Sequence, residues 1–325
     1  MTIQRRALLA GAAGLGLAPA AATRARAETW PSRPIRVVVP YSPGGGTDIF
    51  TRALAESLRA RLGETLVVEN RAGANGVVGA EMVKNSPPDG YTFAVCTGAH
   101  VVNRYAMRSI PFHPVHDFTP IALLSSFALL IAVHGGAPWR DIAALVRDAK
   151  ARPGAISYGT TEAATSFAGG DFARKAGIGM TEIPYRGSGP MLNDLIAGHL
   201  PTCWTSTVSV LPYIQDERIR VLGVTSAERS PLLPGVPTIA EAGVPGYEFT
   251  AWYGMYGPPN LPAPIALRMA TAIEESLQEP ALRRKLQELG ADVKPVTGDR
   301  FADFLRRDDA RWAQAARDGL INVSQ

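Results

Sequence analysis

Val38-Val39-Pro40-Tyr41-Ser42-Pro43-Gly44-Gly45-Gly46-Thr47-Asp48 is the stretch that decides how the rest of the chain is read. A β-branched run from Ile35 to Val39 reads as a buried strand, and a proline–glycine bend ends it. A helix pattern follows at once. Ile49, Phe50, Ala53, Leu54 and Leu58 share one face, and Gly63 supplies a left-handed stop. Strand, glycine bend and helix form the repeating unit of an α/β fold.

The same bend has a chemistry. Glycine lets a ligand approach the backbone with no Cβ in the way. The first amides of a helix have no intrahelical partner and carry the positive end of its dipole. Tyr41, Ser42, Pro43, Gly44, Gly45, Gly46, Thr47 and Asp48 are therefore a candidate anion seat. Asp48 is a poor partner for an anion and suits a first-turn role capping free amides. No Gly-Lys-Ser/Thr follows, so this is not a Walker loop, nor is it the dinucleotide GxGxxG. A tight turn with no ligand has the same sequence, and the loop alone leaves the choice open.

Outward from the bend, the grammar repeats. Leu66 to Glu69 and Tyr91 to Val95 read as strands, separated by the turn Ala72 to Gly76, a short helix and the turn Pro87-Pro88-Asp89-Gly90. It restarts after about residue 128. Strands are expected at Leu129–Val133, Ile156–Tyr158, Glu182–Tyr185, Thr202–Thr205 and Arg220–Thr225, with helices at Asp141–Ala151 and Phe167–Ala176. A proline-rich stretch, Ser230 to Tyr247, leads to an aromatic strand, Trp252 to Tyr256. Helices are expected at Pro264–Leu277, Ala281–Leu289 and Asp299–Ala316. This predicts an α/β protein of two lobes, one inserted into the other: 28–127 plus 254–325, and 128–253. Crossings near Phe127–Leu130 and Trp252–Tyr256 make a two-crossing hinge, with a cleft between the lobes as the expected ligand site.

Two further loops point at that cleft. Thr160, Thr161, Glu162, Ala163, Ala164, Thr165 and Ser166 follow one strand and open a helix. Their hydroxyls and free amides suit an anion, though helix capping by Thr165 or Ser166 also accounts for them. Tyr185 and Arg186 precede Gly187-Ser188-Gly189-Pro190, another helix start. Arg186 suits a second acid group on a ligand, and a solvated arginine is the plainer reading.

Composition excludes several classes. Residues 1–27 read as a signal peptide: Arg5 and Arg6, an uncharged run from Ala7 to Ala22, then Ala25-Arg26-Ala27. Paired arginines fit the twin-arginine route as well as the general one. The full chain is +4 and the leader holds Arg5, Arg6, Arg24 and Arg26 with no acid, so the mature chain is about neutral, +4 minus 4. No basic cluster remains as a nucleic-acid footprint. Cys96 and Cys203 are the only cysteines and are expected to be separate buried thiols. His100, His113, His116, His134 and His199 fall in no metal or triad spacing, and there is no GxSxG.

Several short motifs, in order, resemble one family. They include Pro31 to Arg36, Pro43 to Asp48, Val67 to Ala74 and Pro88 to Thr92. Later come Ile183 to Ser188, Ser226 to Ser230, Leu233 to Thr238, Glu241-Ala242-Gly243, Pro245-Gly246-Tyr247 and Trp252-Tyr253-Gly254. Over nearly all of the mature chain the sequence resembles the Bug-type, TctC-like periplasmic receptors of tripartite tricarboxylate transporters.

The resemblance implies a type II periplasmic-binding fold, in which Tyr41–Asp48 and Thr160–Ser166 pinch a carboxylate, partly through water. It adds Thr97, Gly98, His100, Thr205, Ser206 and Thr207 as residues setting ligand identity. It implies a solute-binding protein, not an enzyme, that takes a mono-, di- or aromatic carboxylate to membrane transporter subunits. A monomer without cofactor, metal or nucleic acid is expected. A receptor feeding a membrane kinase and a periplasmic α/β hydrolase are the alternatives. Two departures stand out. The second loop carries Glu162, two alanines and Phe167 where the family has a Ser/Gly/Asn-rich run ending in His-Leu. Acidic residues usual near Pro201 and Thr205 are absent.

Overall fold

The computed structural model describes residues 30–214 and 217–321. The expected signal peptide lies outside the described residues. β1 (Ile35–Val39) is buried at every position but Arg36. It pairs in parallel with β2 (Leu66–Asn70) on one side and β3 (Thr92–Thr97) on the other. A strand covered on both faces has no need of polar alternation, and this accounts for its unbroken Val/Ile run. Around it lie α1 (Gly46–Leu62), α2 (Val77–Lys84) and α3 (Ala99–Ala106). Gly63 closes α1 with φ 78°, as its sequence requires.

β4 (Thr119–His134) is the element that joins the lobes. Its first half, from Thr119 to Ala128, pairs antiparallel with β9 (Thr250–Gly257). From Leu129 onward it pairs with β7 (Thr202–Ser206) and β8 (Ile219–Val224). One strand thus leaves the first sheet and becomes the spine of the second at Ala128–Leu129. The second sheet continues through β5 (Ser157–Thr160), parallel to both β7 and β6 (Thr181–Pro184). Its helices are α4 (Ile142–Ala151), α5 (Ala163–Ala176), α6 (Ser188–Ala197) and the short α7 (Thr207–Val210). The chain returns along β9, which also pairs antiparallel with β3. It finishes with α8 (Ala263–Gln278), α9 (Pro280–Glu288), β10 (Val296–Thr297) and α10 (Gly298–Arg317).

The expected two-lobed α/β fold is the observed one, and two details differ. The first half of β4 was not anticipated, because Pro120, Ser125 and Ser126 interrupt the apolar run that marks its second half. Thr250 already pairs with Ala128 in the first sheet, so we place the return crossing at Phe249–Thr250, ahead of the expected Trp252–Tyr256. Packing is continuous across the junction. Trp312 of α10 meets Phe167 of α5 edge-on, at 4.7 Å between ring centres, and also lies against Phe249 at 6.3 Å. Cys96 and Cys203 are buried free thiols, one in each sheet. No described helix is long and apolar enough to cross a membrane.

Candidate ligand-binding cleft

The bend after β1 is held in shape by Asp48. Its carboxylate accepts from the Gly44 amide at 3.0 Å, from Arg52 Nε at 2.9 Å and from Asn70 Nδ2 at 3.1 Å. Burial pushes the Asp48 pKa up, but these three donors outweigh it and hold the carboxyl below its usual range. Asn70 Nδ2 also reaches the Tyr41 carbonyl at 3.1 Å, pinning the bend to the end of β2. Asp48 braces the bend ahead of α1 and does not cap the first helix amides. It takes the Gly44 amide, which is therefore not free for a ligand. No hydrogen bond among the described residues uses the amides of Gly45, Gly46 or Thr47. Gly45 itself is extended, φ −79° and ψ 165°, which turns the chain into α1.

Those free amides open on a narrow cavity of about 40 Å³ between the lobes. Tyr41, Ser42, Gly45, Gly46, Thr47, Thr97 and Tyr253 wall it from the first lobe. Thr161, Glu162, Thr165, Gly187, Ser188 and Ser206 wall it from the second, and Phe127 and Leu129 of the crossing strand also line it. The wall is built from helix starts. Gly46 and Thr47 begin α1, Glu162 caps α5, and Gly187 caps α6. Three positive dipole ends therefore meet at one small space from both lobes. Among the described residues no Lys, Arg or His lines it.

The lobes touch here. Ser42 Oγ donates to the Arg186 carbonyl at 2.9 Å. Thr97 Oγ1 donates to Glu162 Oε2 at 2.6 Å. Tyr41 Oη lies 2.8 Å from Thr97 Oγ1 and accepts from the Thr97 amide at 3.3 Å. Glu162 is half-buried, and the protein packed around it raises its pKa to about 7, against a smaller opposing pull from the Thr97 and Tyr41 hydroxyls. Burial, with the Glu162 charge added, also pushes the Tyr41 and Tyr253 hydroxyls well up, so both stay neutral donors. A space of this size holds a few waters or one carboxylate-sized group.

Sequence comparison decides the family. Residues 50–318 match the profile described as "Tripartite tricarboxylate transporter family receptor".

The chain belongs to the tripartite tricarboxylate transporter receptor family.

It is 32% identical to Protein BugT of Bordetella pertussis over 90% of this chain and 91% of that protein. Among solved structures, R. palustris Rpa4515 with adipate superposes with a TM-score of 0.87 at 33% identity, covering 91% of this chain and 100% of that one. MatC from Rhodopseudomonas palustris with bound malate gives 0.83 at 27% identity, covering 88% of this chain and 100% of that one. The receptor family is thus of the Bug, TctC-like type, and its members are solute-binding proteins of the periplasmic-binding fold.

Tyr41, Ser42, Gly45, Gly46, Thr47, Thr97, Thr161, Glu162, Thr165 and Ser206 share the cavity wall. Pro43 and Gly44 are exposed at the outer rim of the bend, and Asp48 lies beneath it. Thr160, Ala163, Ser166 and Tyr185 border a second cavity of about 260 Å³ behind the loop, and Ala164 is buried in α5. There Glu182 accepts from Thr160 Oγ1 at 2.6 Å and from Ser166 Oγ at 3.0 Å. Tyr185 donates to Asp194 at 2.8 Å.

Five more of the expected residues lie off the cavity wall. Arg186 meets the cleft through its carbonyl, and its guanidinium does not line the cavity. His100 is a core residue: it stands 4.6 Å from the Tyr256 ring and 4.7 Å from the Phe118 ring, with Nε2 3.0 Å from the Pro114 carbonyl. Burial drives its pKa down to about 4. Gly98 is pressed against Trp252, whose Nε1 would stand 2.9 Å from an added Cβ. Thr205 lies beside Ser206 on the other face of β7, and Thr207 begins α7, where its Oγ1 donates to the Ala128 carbonyl at 3.2 Å.

Residues missed by sequence reasoning are Gly187, Ser188, Phe127, Leu129 and Tyr253. Gly187 and Ser188 were legible as a helix start, the same signal that marked the first bend. Phe127, Leu129 and Tyr253 had no such signal, because an apolar residue on a crossing strand reads as core.

Proposed function

We propose that this receptor captures a small carboxylate-bearing solute between its lobes and delivers it to membrane transporter subunits. It does so as a periplasmic protein and without chemical turnover. One observation carries the reading: unused amides at the start of α1 face helix starts of the second lobe across a cavity that no cation lines among the described residues. Neutral donors and helix dipoles suit a carboxylate whose charge must be held reversibly. The Ser42–Arg186 and Thr97–Glu162 contacts exist only while the lobes are together. Ligand bound to both walls shifts the population toward that closed state. Rpa4515 and MatC, solved with adipate and with malate, support a small carboxylate as the ligand. A thermal-shift panel of acetate, succinate, malate, adipate and benzoate, with neutral sugars as controls, tests this. Stabilisation by at least one carboxylate and by no sugar is expected. Stabilisation by a sugar alone overturns the reading.

A further inference from the structure

Glu162 stands where a receptor for anions has least use for an acid. Glu162 borders both the 40 Å³ cavity and the larger space behind the loop, and among the described residues no Lys, Arg or His lines either one. The groups facing it are neutral or acidic. Tyr41 comes from the bend, Cys96 and Thr97 from β3, and Tyr253 from β9. Thr161 and Thr165 flank it on its own segment, and Thr165 Oγ1 is engaged by the Glu162 amide at 3.1 Å. Glu182 of β6 borders the larger space and is already held by Thr160 and Ser166.

A ligand carboxylate seated on the Gly45–Thr47 amides shares the small cavity with this side chain. Two carboxylates enclosed at such short range, with no cation between them, do not both stay ionised, and one of the two pKa values rises strongly. Glu162 has the start of α5 alone, and burial already opposes its charge, whereas the ligand's charge faces the free α1 amides and the start of α6, so the proton goes to Glu162. Oε2 accepts from Thr97 and the side chain also accepts the Thr165 amide in the capping box of α5; a carboxyl group has about four lone-pair sites, so a proton can be added beside both bonds.

We propose that carboxylate binding to this receptor is coupled to uptake of one proton from solvent by Glu162. The inference rests on the carboxylate reading above. Glu162 then acts as a neutral donor in the closed cleft, and the free protein is poised to supply that state near neutrality, since burial already sets its pKa at about 7. A zwitterionic amino acid is the contrasting guest. Its ammonium would pair with the ionised carboxylate and need no proton.

Calorimetry of the mature protein with the five carboxylates above, and with glutamate, tests the coupling. Titrations run from pH 5.5 to 8.5 in two buffers of different ionisation enthalpy. For whichever carboxylates bind, uptake of about half a proton at pH 7 and nearly one at pH 8 is expected, with affinity falling about tenfold per pH unit above 7. Glu162→Gln, a neutral donor at every pH, should bind with no proton uptake and no such slope. Wild-type binding that is flat in pH with no uptake overturns the proposal, as does an equal slope in Glu162→Gln. So does tight proton-free binding of glutamate with loss of that binding in the variant. If neither protein binds any carboxylate at any pH, the carboxylate reading itself falls.

Discussion

Ser42 and Gly187 meet across the closed cleft so tightly that a Cβ built on Gly187 would stand 2.8 Å from Ser42 Cβ. The two residues belong to different lobes, so the contact measures closure and nothing within either lobe. Gly187 has φ 163°, extended backbone open to any residue. Gly187→Ala is therefore unstrained in the open protein and clashes only when the lobes come together. Carboxylate affinity should fall by roughly tenfold or more, because the binding-competent closed state becomes rare. The melting temperature without ligand should change little, and the radius of gyration by X-ray scattering should rise. Ser42→Gly added to Gly187→Ala removes the opposing Cβ and should recover affinity. No recovery would show that the glycine serves some other purpose.

The anion seat can be tested one amide at a time. Gly46 is the first residue of α1, and its amide makes no hydrogen bond among the described residues. Proline is well tolerated at that position, and the residue before it must be extended, as Gly45 is at φ −79° and ψ 165°. Gly46→Pro thus deletes one donor with little effect on folding. A hydrogen bond to a charged group contributes about 1.5–3 kcal/mol, so affinity should drop by about ten- to a hundredfold. An unchanged Kd at unchanged melting temperature would place the carboxylate elsewhere.

How much of this was legible depends on the range of the physics. The bend before α1 was readable because glycine torsions and free helix amides are local properties of Gly44 to Asp48. The second-lobe loop was readable for the same reason. Most strands, too, follow from local apolar runs, the first half of β4 excepted. What could not be read is which side of a strand or helix faces the cleft. Thr205 and Ser206 are adjacent and equally polar, and only the register of β7 on β4, Leu129 against Ser206, turns Ser206 inward. His100 and Thr97 are close in sequence, yet the turn into α3 sends one into a ring cluster and leaves the other in the cavity. The reach of Glu162 to Thr97 joins residues far apart in sequence and exists only through closure.

His100 gives a control for that reading. Its ring is enclosed by Phe112, Phe118 and Tyr256 and is neutral near pH 7, its pKa lowered to about 4 by burial. A folded-state pKa below the ordinary 6.5 means the unfolded chain binds the extra proton first. Stability from this group is therefore intact above pH 6.5 and lost as pH falls toward 4, at up to about 1.4 kcal/mol per unit. His100→Leu should leave the Pro114 carbonyl unpaired and destabilise the protein by about 1–3 kcal/mol at pH 7.5. Its carboxylate affinity should match wild type. A selective loss of binding, with stability intact, would return His100 to the site.

Glu162 has the opposite sign. Its folded-state pKa, about 7, lies above the ordinary 4.5, so the folded protein holds the proton that the unfolded chain releases. Stability is highest below pH 4.5 and declines as pH rises through 7, by up to about 3 kcal/mol at about 1.4 kcal/mol per unit. Glu162→Gln keeps the shape and an accepting oxygen for Thr97 but never ionises. Measured without ligand, the two proteins should unfold alike near pH 4.5, and the variant should gain on wild type up to pH 7 and hold its lead above it. Parallel curves from pH 4.5 to 8.5 would mean that the Glu162 carboxylate is solvated when charged, and the buried acid in the closed cleft would then have no energetic consequence.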